Sequence, residues 1–407
     1  MQLNTYQKSL LQLLTFLLVF AGAMIVIGIN RPYWGDEAHF AETIRYFGNE
    51  ISLNTLKSYN EMSTPLPFVL YALWGKVFGF EIQNLRILSI IIALFTCVSF
   101  HYLLFSIFKE SIIALATTGF FILNPYIVGL SIFVFTDMLA ILFLIICCLA
   151  VKNESPALFA IASVFGLLTR QYFAFLTIAA GLYYLFNYQK TRESRAIKML
   201  FSAFLSFLPL LSLFVLWQGP APDSARKALY MKESFGFHPN SLILYITQFS
   251  IYLLPVILFF WKDIYKNKKI LITSFIISWL YWVFPIAPST AAVDANIHTV
   301  GLFHKLVRLV LGAQYEHIFF FIFFFLGLPI VLAMIKDCYQ RIKSPYLDFL
   351  LFIDLAILTF LLIMPFSYLV WEKYFLPVLP LMAIYLLLKY PKQTSPTFVQ
   401  KKPLVAA

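Results

Sequence analysis

The sequence predicts an all-α polytopic membrane protein of about twelve transmembrane helices, on three observations. The first is composition. Of 407 residues, 61% are hydrophobic, 18% aromatic and only 12% charged. A soluble domain averages roughly 45–50% apolar and about 25% charged, so this chain could not cover its own surface in water. The second is the recurrence of apolar runs long enough, or nearly so, to cross a bilayer. The third is that the basic residues cluster between runs in a pattern that obeys one membrane orientation.

The runs fall at about 10–29, 85–107, 111–126, 134–151, 156–169, 171–188, 198–217, 241–261, 270–287, 318–335, 347–366 and 374–389. The first is too long for a signal-peptide core and has no small-residue cleavage site after it, so an uncleaved first span is expected. Four basic clusters follow later runs: Lys190/Arg192/Arg195/Lys198, Lys262/Lys266/Lys268/Lys269, Lys336/Arg341/Lys343 and Lys389/Lys392/Lys401/Lys402. Neighbouring clusters are separated by two runs, so all four can be cytoplasmic at once. Counting back places Lys109 and Lys152 inside, and Arg170 and the turn at 126–137 outside.

Residues 65–80 form a mostly apolar segment of about sixteen residues with Pro65 and Pro67 at the start and Lys76 within. A span there would break the parity, so an interfacial helix is expected. The chain then reads as one transmembrane domain over 1–407, with a first outer loop at 30–84 and a short cytoplasmic tail at 390–407. Both termini are inside. The net charge of +11 belongs to loops facing anionic lipid, and nucleic acid is not an expected partner. Cys97, Cys147, Cys148 and Cys338 have no metal-ligand spacing and read as small core residues. The Phe-rich tract at 318–326 reads as a lipid-facing helix.

The charges outside the basic clusters gather on the outer face: Asp36, Glu37, His39, Asp137, Arg170, Glu372 and Lys373, with Lys305 and Arg308 in the loop 288–317. Ionisable groups at or within membrane spans are costly and mark functional sites. Two bland readings stand beside that one. Asp137 and Arg170 could be an ion pair stapling two helices, and Asp36–Glu37 could cap a helix N-terminus. His39 reads as a structural or loop residue.

Five stretches, taken in order, resemble the GT-C superfamily of membrane glycosyltransferases. "PYWGDEAHFAETIRYF" (32–47) and "STPLPFVLY" (63–71) look like the first outer loop of protein mannosyltransferase-like bacterial enzymes. They look equally like that of the eukaryotic α1,2-glucosyltransferase of lipid-linked oligosaccharide. "FTDMLAILFLIICCLAV" (135–151), "GLLTRQYFAF" (166–175) and "WEKYFLPVLPL" (371–381) match the same glucosyltransferase in order and approximate spacing. The likeness implies a GT-C-like fold and an inverting hexosyltransferase. Its donor would be a polyprenyl-phosphate-linked sugar of the glucose or mannose class. Its acceptor would be a lipid-linked glycan or another acceptor hydroxyl on the non-cytoplasmic face.

Such a transfer needs a general base on the acceptor and positive charge on the departing phosphate. The resemblance points to Asp36 as the base. Glu37 would orient the acceptor or perturb Asp36, since neighbouring like charges raise one carboxyl. Arg170 suits bidentate capture of the phosphate, with Lys373 next and Lys305 and Arg308 after it. Asp137, Gln171, Glu372 and Tyr374 complete the expected substrate-binding set. Asp137 would be an acceptor hydrogen-bond partner or, with Asp36, a ligand to a divalent ion; no cofactor and no metal are expected. No nucleotide-binding fingerprint is present. The competing class is a transporter or flippase for a lipid-linked or polar substrate, although no two related halves are evident. Compact loops point to a prokaryotic cytoplasmic membrane with the site facing outwards; in a eukaryote the same face would be lumenal in the endoplasmic reticulum.

Overall fold

The structure is a computed structural model, and it describes residues 5–230, 236–294, 296–367 and 369–390. It is all helical, with no strand among the described residues. The first run forms α1 (Thr5–Gly28). The loop after it folds into three short helices, α2 (Glu37–Asn49), α3 (Leu53–Ser58) and α4 (Leu66–Phe78). At 13 residues, or about 20 Å of rise, α4 falls short of a roughly 30 Å hydrocarbon core. It packs on α2 and on α5 (Ile82–Phe108).

The run at 111–126 breaks in two. Helix α6 (Ser111–Ile122) turns by 73° into α7 (Pro125–Ile132). Asn124 makes the corner: its side chain accepts from the Tyr126 N–H at 3.0 Å, and Pro125 needs no amide partner in the first turn. Next come α8 (Asp137–Lys152), α9 (Pro156–Thr169) and α10 (Ala174–Thr191). Helices α11 (Ser194–Leu205) and α12 (Leu208–Trp217) share one run, and α13 (Asp223–Tyr230) lies in the loop beyond. Helices α14 (Pro239–Tyr252), α15 (Leu254–Phe259) and α16 (Trp261–Ile264) precede α17 (Lys268–Ser278). The loop 288–317 carries α18 (Thr290–Asp294) and α19 (Leu302–Leu311). Then follow α20 (Glu316–Lys343), α21 (Phe349–Ile363) and α22 (Leu379–Lys389).

Every expected run therefore coincides with a helix or a broken helix. Among the described residues five helices, with α11 and α12 taken together as one, are long and apolar enough to cross a membrane, or six if the bent pair counts as one span. Their exposure fits that use. Only 22% of the apolar stretch of α1 is buried, and Leu18, Val19 and Val26 are bare. In water such a surface would drive association. The core forms where α8 packs on α5 and α9, α10 on α21, and α14 on α20. Gly327 of α20 lies so close to α14 that a Cβ there would collide with the Ile246 carbonyl oxygen. The four cysteines are free and buried. Within the Phe-rich tract Phe320 and Phe324 are buried while Ile318 and Ile322 are exposed, so that helix faces both ways.

Three basic clusters meet at one end of the bundle. Lys266, Lys336, Arg341 and Lys389 line a single cavity of about 550 Å³. Lys190 joins the fourth cluster to it by hydrogen bonds to the Ile342 and Ser344 carbonyls. Lys392, Lys401 and Lys402 of the expected tail lie outside the described residues. Lys190 sits in the last turn of α10, whereas Arg170 lies just before its first. The two charge groups are thus at opposite ends of an 18-residue helix, about 27 Å apart along its axis.

Candidate functional site

Asp36 stands at the N-cap position of α2, just after Gly35, whose φ of +57° is the left-handed turn that favours glycine. Its carboxylate makes no capping hydrogen bond. It points away and accepts instead from Lys373 Nζ at 2.7 Å. Lys373 in turn lies over the Phe135 ring, 5.4 Å from its centroid. The Asp36 side chain keeps 54% of its surface exposed, against 21% for Lys373. Partial burial pushes the Asp36 carboxyl up, but the charge and hydrogen bond of Lys373, with Arg170 and His39 farther off, carry it below its ordinary value.

Behind this pair lies a second one. Arg170 ends α9 with an extended backbone, and its Nη2 donates to both Asp137 oxygens at 3.1 and 2.9 Å. Asp137 is fully buried in the first turn of α8, where a carboxylate complements the helix dipole. Arg170 Nη1 donates to Ser63 Oγ at 2.9 Å, and Tyr172 donates to Asp137 at 3.2 Å. Gln171 Nε2 reaches the carbonyls of Met62 and Pro220, and Thr64 donates to the Leu167 carbonyl. The stretches around 63 and 170 are therefore sewn together. The Tyr374 hydroxyl makes no hydrogen bond among the described residues and lies within electrostatic reach of Arg170, Asp137 and Asp36.

Two expected site residues are placed elsewhere. Glu37 does not face Asp36; it is wholly buried against Arg86, with contacts of 2.9 and 2.5 Å. It also accepts from the Val134 and Trp34 amides. Arg86 spends its remaining donors on the carbonyls of Gly28, Ile29, Arg31 and Pro32. Glu37 thus anchors the start of the loop to α1 and α5, and no surface of it is left for an acceptor. Glu372 also turns inward. It accepts from the amides of Phe303 and His304 and from the Tyr126 hydroxyl, which caps the start of α19. Arg308 is held by both oxygens of Glu316 and lies apart from the Asp36 cluster.

Glu61 and Arg86 are the residues that sequence reasoning missed. Glu61 accepts from Thr43 at 3.2 Å and lies 3.1 Å from His39 Nδ1. Burial lifts its carboxyl to about 7, with Asp36 adding to the lift and His39, Thr43 and Arg170 opposing it. Nothing in the loop sequence marks it out. Arg86 did carry a signal, being an arginine at the head of an apolar run. Among the described residues no group of three His, Cys, Asp or Glu side chains could hold a metal ion; Asp36 and Asp137 are each bound to a cationic side chain instead. No family model matches the chain, and no curated protein matches its sequence.

Proposed function

We propose that the protein is an integral membrane hexosyltransferase of the inverting, polyprenyl-phosphate-sugar-dependent kind, with GT-C-like architecture. It would cross a prokaryotic cytoplasmic membrane about twelve times and present Asp36 on the outer face. One observation carries the reading: Asp36, Ser63, Asp137, Arg170 and Lys373 come one from each of the five stretches that resemble the superfamily, and they form one cluster. That cluster sits at the opposite end from the basic residues.

In this reading the acceptor hydroxyl gives its proton to Asp36 as its oxygen bonds to the sugar's anomeric carbon. The bond from that carbon to the phosphate oxygen breaks, and the electron pair leaves with the polyprenyl phosphate. Lys373 is better placed than Arg170 to meet that phosphate, because Arg170 is already shared between Asp137 and Ser63. A phosphate that draws Lys373 away removes the charge holding the Asp36 carboxyl low, so donor binding makes Asp36 more basic. Arg170 then contributes positive potential from behind. Mass analysis of glycolipids and glycans from cells with and without the gene tests the proposal. Loss of one hexose from a defined glycan is expected, and an unchanged profile would overturn it.

A further inference from the structure

Helix α19 is amphipathic in the sense opposite to that of a helix packed against protein and facing water. Its inward face holds His304 and Val307, which are buried, and Arg308, which with His304 surrounds the Glu316 carboxylate. Arg308 Nη1 adds a bond to the His298 carbonyl. The outward face holds Leu302, Leu306, Leu309 and Val310, exposed by 51%, 51%, 81% and 70%. Their spacing forms one stripe along the helix. Lys305 borders the stripe, where a long aliphatic stem can lie against hydrocarbon and lift its ammonium to phosphate level. With ten residues the helix rises about 15 Å, half of what a span needs.

The neighbouring surface continues the pattern. Tyr315, Trp279 and Trp282 are all exposed around the start of α20, the two tryptophans against Phe321. Amphipathic aromatics of this kind sit at the membrane–water boundary.

We propose that α19 is a membrane-surface helix, with Leu302, Leu306, Leu309 and Val310 seated in the acyl region of the leaflet nearest Asp36 and Lys305 at the phospholipid phosphates. The inference does not depend on the glycosyl-transfer reading. The inner end of the helix is fastened to the candidate site. Glu372 takes the Phe303 and His304 amides, Tyr126 takes the Leu302 amide at 2.6 Å, and the Glu372 amide binds the Val300 carbonyl at 2.9 Å. The next residue is Lys373, so a lipid-seated helix and the cation on Asp36 are held by adjacent backbone positions.

Site-directed fluorescence tests this directly, because the four native cysteines are buried. Leu309→Cys and Val310→Cys would carry an environment-sensitive label in phosphatidylethanolamine/phosphatidylglycerol proteoliposomes, with Glu42→Cys, an exposed position of α2, as the aqueous control. Lipids bearing a nitroxide near the top of the acyl chain should quench the labels at 309 and 310 several-fold more than that at 42, and aqueous iodide should show the reverse order. Iodide quenching at 309 and 310 equal to that at 42 would overturn the proposal. Shielding from both quenchers would also overturn it, since protein rather than lipid would then cover the stripe. Leu302→Cys and Leu306→Cys read the same stripe if either of the first variants elutes aggregated.

Discussion

Lys373 Nζ and Asp36 Oδ2 meet at 2.7 Å across 337 positions of sequence. The pair joins the mouth of the first helix to the last stretch before the final one, and it governs the charge of a half-exposed carboxylate.

If Asp36 is the general base, Asp36→Asn keeps its shape and removes its basicity. Turnover should fall roughly 10²–10⁴-fold, with expression and thermal midpoint little changed, because the carboxylate caps nothing. Lys373→Met removes the group that holds the Asp36 carboxyl low in the free protein, so the acidic limb of the kcat/KM–pH profile should move to higher pH. An unshifted acidic limb in Lys373→Met would separate that limb from Asp36.

Glu37→Gln should damage stability rather than chemistry. The amide leaves the fully buried Arg86 without its counter-charge and turns an N–H towards a donor. Breaking one side of such a pair costs about 3–5 kcal/mol. Thermal unfolding in detergent should show this, and the Arg86→Met/Glu37→Met double variant should be less damaged than the sum of the singles. Additive losses would mean that the two side chains act independently.

Arg170→Ala and Asp137→Asn should each lower the unfolding midpoint, since each strands a buried partner; about 3–5 kcal/mol is expected for the arginine. Arg170→Lys keeps the charge but cannot span both Asp137 and Ser63, and should recover only part of the loss. Full stability with weakened binding of a polyprenyl-phosphate sugar would instead make Arg170 a donor ligand alone.

Glu61 makes stability depend on pH in a defined sense. Its folded carboxyl, at about 7, binds a proton more tightly than it does in the unfolded chain, near 4.3. The stability it contributes is fully present below pH about 4.3 and is lost as pH rises through about 7. The unfolding midpoint should decline across that window, and Glu61→Gln should flatten the decline. The same slope in both proteins would assign it to another group.

Helix α4 should lie along the surface. Cysteines placed at Asn60 and Gln83, on either side of it and both exposed, should label with one impermeant reagent applied from outside. Labelling of only one would mean that the segment crosses.

The helices were legible because apolar runs and basic ends are local signals. The turn at Asn124–Pro125 hid inside one run because Asn124 is a single polar residue in otherwise apolar sequence. The site was half legible. Adjacent side chains at a helix start point about 100° apart, so of Asp36 and Glu37 only one can face any given partner. Which of them turns inward depends on Arg86, 49 positions later than Glu37. The same ambiguity separates Glu372 from Lys373. Glu61 acquires its character from burial, which no local pattern records.

The contacts around Arg86 also set an order of assembly. Synthesis delivers the loop before its anchors: Glu37 must wait for Arg86 and then for the Val134 amide. Asp36 has no hydrogen-bonded cation until residue 373 has left the ribosome. A nascent chain stopped after α12 would contain Glu37, Arg86 and Val134 but not Lys373, so it would have the partners of the loop's anchor and lack the cation hydrogen-bonded to Asp36. Supplying the remaining helices as a separate polypeptide should complete the site in the membrane.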